Sequence, residues 1–144
     1  KELYPEYKAN RAKSIELVDT QGPVAIIGQM LPKMLSDHTR QQNVAVEGRV
    51  RELGSLQTPT GVAAALAALR DRPDSMPALR AFKFPALILV GAHDVLTPPS
   101  ATSTMAEHLP DVTSETLDWA GHLSNLEAPA PFNAAVRRWM VAIS

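Results

Sequence analysis

The chain has 144 residues, enough for one domain or part of one, and 45% of them are apolar, enough for a real core. Lys+Arg 14 against Asp+Glu 15 leave a net charge of −1, so no basic excess points to nucleic acid or an anionic membrane surface. The absence of cysteine excludes disulfides, thiolate metal sites and a thiol nucleophile within the chain, and the expected location is cytoplasmic. No run of about 18 or more apolar residues is present, so no transmembrane helix is expected. Basic pairs such as Arg70 with Arg72, and Arg137 with Arg138, read as solvated helix ends. The start, Lys1-Glu2-Leu3-Tyr4, carries neither an initiator Met nor a charged-then-apolar leader, and we expect a chain that has been cut.

Residues 1–73 read as helical. Tyr7 to Asp19 carries Ala12, Ile15 and Val18 on one side, and Gly22-Pro23 breaks the pattern. Val24, Ile27, Leu31 and Leu35 recur at helical spacing, but Pro32 interrupts them, which predicts a kink or two short helices. Thr39 to Leu53 carries Val46, Val50 and Leu53 on one face. Thr58-Pro59 is a helix start, with Thr58 as cap and Pro59 at the first helical position. That helix presents Val62, Leu66 and Leu69 and stops at Arg72-Pro73. The turn-rich stretch from Pro73 to Pro77 marks the boundary between two units, 1–73 and 74–144.

Residues 77–144 alternate between strand and helix. A short helix from Pro77 to Phe82 precedes a strand from Ala86 to Val90. That strand is uniformly apolar, as one covered on both faces of a parallel sheet would be. Pro99 to Leu109 is predicted helical, with Ala101, Met105 and Leu109 facing in, and Thr113 to Leu117 is a weaker strand. The last helix, Ala130 to Ile143, gathers Phe132, Ala135, Val136, Trp139, Met140 and Ile143 into one apolar stripe. This order argues for an α/β unit, a parallel sheet flanked by helices.

Two residues stand out as candidates for chemistry. Asp94 follows the apolar strand, where open α/β sheets place functional groups, and precedes the Thr97-Pro98-Pro99 helix start. It could equally cap the turn by accepting nearby backbone N–H groups. His122 follows Gly121 in a loop that opens the final helix, and is read either as a site residue or as a surface histidine. His38, His93 and His108 read as solvent-exposed. An acid after a strand, then a histidine in a glycine-led loop, fits the last two members of a nucleophile-acid-histidine triad.

Gly91-Ala92-His93-Asp94-Val95-Leu96-Thr97-Pro98-Pro99 resembles the acid loop of the α/β-hydrolase superfamily. The stretch Ala120-Gly121-His122-Leu123-Ser124-Asn125-Leu126-Glu127-Ala128-Pro129 resembles its histidine loop. Residues 1–73 then look like the helical cap inserted before the last core strands, and Thr58 to Asp74 is similar to the last cap helix of small bacterial lactonases and esterases. The resemblance implies the C-terminal portion of an α/β-hydrolase fold preceded by a cap. It implies that His122 takes and returns a proton while Asp94 fixes its tautomer. Glu127, Asn125 and Ser124 would shape the loop, Trp119 would pack, and Met30, Leu31 and Met34 could line an acyl pocket.

The departure is the nucleophile. No serine has glycine at both −2 and +2, so the strained elbow is absent, as is a Gly-rich oxyanion loop. The resemblance implies a hydrolase of small esters or lactones without cofactor or metal, whose nucleophile belongs to a missing N-terminal half. The expected partners are that half or a copy of the chain, and the chain alone is expected to be inactive. Two alternatives stay open. One is the same fold with an aspartate nucleophile acting on epoxides or haloalkanes, or with carbon–carbon hydrolase or peroxidase chemistry. The other is a non-catalytic fragment or interaction module.

Overall fold

In a computed structural model, residues 5–144 are described. The elements are α1 (Pro5–Gln21), α2 (Pro23–Met34), α3 (Asp37–Gln42), α4 (Val44–Ser55), α5 (Pro59–Asp71), α6 (Met76–Leu79), β1 (Ala86–Gly91), α7 (Pro99–Ala106), β2 (Val112–Leu117), α8 (Ser124–Glu127) and α9 (Pro129–Ala142). Contacts divide the chain into two compact units. One joins the described residues up to Leu31 with Gly48–Asp74, and the other joins Pro32–Glu47 with Ser75–Ser144. The division runs through α2 and α4 as well as the joint after α5. Among the described residues no helix is long and apolar enough to cross a membrane.

In the first unit α1 packs along α5. Val18, Ile26 and Leu66 form the buried core, with Ile15, Leu17, Met30, Val62 and Ala63 packed against it. Gly22 ends α1 at φ +79°, a left-handed conformation that costs glycine little, while its N–H donates to the Val18 carbonyl at 2.9 Å. The Thr58 hydroxyl accepts the Gly61 N–H at 3.1 Å and starts α5 as expected, with Pro59 at its first position. Pro32 does not split its helix: α2 runs through it as one element. It falls in the last turn, where a missing N–H removes a single bond and no helix continues beyond to be bent.

The expected helix from Thr39 to Leu53 is two. Ser36 caps α3 by accepting the Thr39 N–H, and Asn43, at φ −141° and ψ 68°, leaves the helical region between α3 and α4. The apolar spacing of Val46, Val50 and Leu53 belongs to α4 alone, and Val50 is the buried one.

In the second unit β1 and β2 pair in parallel, from Ala86 opposite Val112 to Gly91 opposite Leu117. Helix α7 connects them, and α7 and α9 contact both strands. Leu117, Ala120 and Ala128 form a buried cluster with Phe132 against it. The expectation that β1 is covered on both faces fails for half its residues. Ile88, Val90 and Gly91 are buried, whereas Ala86, Leu87 and Leu89 are half-buried. Helix α7 ends at Ala106, short of the expected Leu109, and its inward face differs from the one expected: Thr102 and Ala106 are half-buried while Ala101 and Met105 are exposed, although Leu109 beyond the helix is half-buried as expected. Thr102 instead folds its hydroxyl onto the Pro99 carbonyl at 2.8 Å, so it lies inward at little polar cost. Helix α9 buries Ala135 and half-buries Phe132, Val136 and Trp139, but leaves Met140 exposed, and Ile143, just past its end, is exposed too.

Candidate active site

The parallel register carries both loops to the same end of the two strands. Beyond β1, the Ala92 N–H donates to the Leu117 carbonyl and the His93 N–H to the Ala120 carbonyl, each at 2.9 Å. These bonds zip the acid loop to the histidine loop past the last strand pair. The approach is close enough that a Cβ on Gly91 would collide with the backbone of Ala120 and Gly121.

Asp94 is buried, 5% exposed, in a turn that it closes itself. Its Oδ1 accepts the N–H of Leu96 at 2.8 Å and of Thr97 at 2.9 Å. Its Oδ2 accepts the Thr97 hydroxyl at 2.7 Å and faces the Nδ1 of His122 at 2.9 Å. The carboxylate closes the turn with one oxygen and turns the other to the imidazole. Burial pushes the Asp94 carboxyl up, but hydrogen bonds from the Thr97 N–H, the Thr97 hydroxyl, His122 and the Leu96 N–H together outweigh it and hold the group below its usual range.

His122 faces an ionised carboxylate through Nδ1, so the attractive arrangement places a proton on that nitrogen. The Thr97 hydroxyl oxygen lies 3.3 Å from the same nitrogen and shares the proton. Among the described residues no hydrogen bond of His122 involves Nε2, and the side chain is 36% exposed, so with the proton on Nδ1 the second nitrogen is left as an acceptor. The backbone is fixed from the other side, where the Met34 carbonyl accepts the N–H of His122 at 3.0 Å and of Leu123 at 3.2 Å.

Glu127 shapes the histidine loop, as sequence reasoning expected, through partners it did not foresee. Its Oε1 accepts the Gly121 N–H at 2.9 Å, and its Oε2 accepts the Ser36 N–H and the Thr39 hydroxyl, both at 2.8 Å. Ser124 is buried at the start of α8, and Asn125 is exposed. Trp119 is 47% exposed, its ring 6.5 Å from that of His38. His93 and His38 are exposed as expected, but His108 is half-buried, with Nδ1 2.9 Å from the Thr104 carbonyl and Nε2 3.3 Å from Arg80, which corrects its reading as solvent-exposed. Met30 lines an open groove of the first unit with Arg11, Val62 and Leu69, and Leu31 is fully buried. Among the described residues no three His, Asp or Glu side chains converge as metal donors would.

No family model matches the chain. It is 33% identical to a thermophilic esterase from Thermogutta terrifontis over 98% of its own length and 52% of that chain, with a TM-score of 0.93. It is 25% identical to the enol-lactonase from Burkholderia xenovorans over 95% of its length and 51% of that chain, with a TM-score of 0.84. Among curated proteins it is 37% identical over 67 residues to 3-oxoadipate enol-lactonase 2 of Acinetobacter baylyi, a match covering 46% of this chain and 25% of that protein. The chain therefore spans about half the length of the solved structures it resembles, and the matched stretch about a quarter of the curated lactonase.

Proposed function

Because this chain matches the C-terminal part of the α/β-hydrolase fold, we propose that it supplies the general base and its orienting acid to a hydrolase of small carboxylic esters or lactones. The observation that carries the reading is the contact of 2.9 Å between His122 Nδ1 and a buried Asp94 carboxylate. Asp94 holds the proton on Nδ1, which leaves Nε2 to take a proton from a nucleophile and return it to the leaving alcohol. The imidazolium formed between those steps is stabilised by the carboxylate, which its hydrogen bonds keep ionised. No serine here stands between glycines at −2 and +2, so nucleophile and oxyanion donors come from outside these residues. Residues 1–73 serve as the cap of the complete enzyme, and residues 74–144 as part of its core.

An aspartate nucleophile attacking an epoxide or haloalkane would use the same pair. The names of the esterase and the two lactonases favour ester chemistry. The test is the complete enzyme with p-nitrophenyl acetate. His122→Ala should lower kcat by on the order of 10³-fold or more, since the members of such a constellation act as a unit. Near-unchanged turnover in a folded variant would overturn the assignment.

A further inference from the structure

We propose that Glu127 is a positioning residue for His122, clamping the histidine loop onto the turn between α2 and α3. The inference rests on the reading of His122 as general base and extends it to what fixes that base in place.

Glu127 is buried, 7% exposed, and no cation pairs with its carboxyl group among the described residues. A buried carboxylate in that state depends on the donors that surround it. There are three: the Gly121 N–H on one oxygen, and the Ser36 N–H and Thr39 hydroxyl on the other. One donor immediately precedes His122, and the other two belong to the turn and the first residues of α3. Met34, the last residue of α2 and the one that enters this turn, accepts the N–H groups of His122 and Leu123 on its carbonyl. Carboxylate and carbonyl thus tie the loop to one turn on either side of the His122 Cα.

The packing leaves no slack at this join. A Cβ on Gly121 would lie 2.7 Å from the Ser36 nitrogen and 3.1 Å from the Leu35 carbonyl carbon. Only an acceptor on both arms suits these donors. A glutamine must turn its amide NH2 either to the Gly121 N–H or to the Ser36 N–H, so one arm opposes donor to donor in either orientation. Loss of an arm frees the segment carrying His122, and displacement of a reacting group by about 1 Å costs on the order of 10²-fold in rate.

The test uses the complete enzyme with p-nitrophenyl acetate and imidazole-labelled protein for NMR. Glu127→Gln should lower kcat about 10- to 100-fold and leave KM within about twofold. It should also weaken or abolish the downfield Nδ1–H resonance of His122. Thr39→Val removes one donor and keeps the carboxylate; it should lower kcat severalfold with the same resonance broadened, and it decides the matter if Glu127→Gln does not fold. Wild-type kcat in whichever of the two folds would overturn the proposal. So would a fall in kcat with the Nδ1–H resonance intact, or one matched by a comparable rise in KM. His122→Ala is the control: if it retains activity, the reading of the base fails first, whereas an inactive His122→Ala beside an active Glu127→Gln leaves the base standing and removes the clamp.

Discussion

Asp94 Oδ2 and His122 Nδ1 meet at 2.9 Å across 28 positions of chain, although neither residue lies in a strand or helix. What brings them together is the backbone zip beyond β1 and β2, and what aims them is the filled acceptor set of the carboxylate. Asp94→Asn should therefore lower kcat of the complete enzyme by on the order of 10³-fold or more with little change in fold. The asparagine amide can place an NH2 against Nδ1, which moves the imidazole proton to Nε2 and leaves no base. Turnover on the ester probe measures it; a loss under about tenfold would place the orienting acid elsewhere.

The same carboxylate carries a pH dependence of stability. In the folded chain Asp94 is held below its usual range, burial being outweighed by the donors from Thr97, His122 and Leu96. Unfolded aspartate titrates near about 3.9. The unfolded state thus binds the proton first as pH falls. The contribution is fully present well above about pH 3.9 and is lost as the pH drops through the lower folded value. Urea midpoints of the complete protein between neutral pH and about pH 3 should fall more steeply for the native sequence than for Asp94→Asn. Equal slopes would show that the carboxylate is not selectively stabilised in the folded state.

Much of the geometry of the candidate site was legible because its signals are local. Asp94 sits where a parallel strand ends, and His122 follows the glycine that lets its loop pass close to the neighbouring turn. Local signals also located Thr58 and Pro59 at a helix start. The Glu127 clamp was not legible in its partners, since Ser36 and Thr39 lie 91 and 88 positions away and carry no spacing relative to it. The missed break at Asn43 has the opposite cause. The apolar spacing of Val46, Val50 and Leu53 lies wholly beyond Asn43 and carries no sign of the break, which one residue's backbone makes. The face of α7 was misread because Thr102 satisfies its hydroxyl within its own helix and can lie inward, whereas Ala101 and Met105 need not.

The edge of β1 yields the last expectation. Among the described residues the sheet has two strands, and β1 pairs with β2 alone. Its other edge therefore presents N–H and C=O groups to no strand, beside the half-buried Leu87 and Leu89. Phe84 is 69% exposed, and Met140 on α9 and Ile143 just after it are exposed as well. An open edge flanked by apolar surface is a template for strand addition, and natural sheets cover such edges or blunt them with charge or proline. Within β1 neither a charge nor a proline is present. We expect the purified 144-residue chain to associate, either with a copy of itself or, when co-expressed, with the upstream half of the proposed enzyme. Size-exclusion chromatography with light scattering decides it. A monodisperse species of 15.6 kDa with a cooperative thermal transition would show that the chain covers the edge unaided, and the proposed pairing would then have no physical driving force.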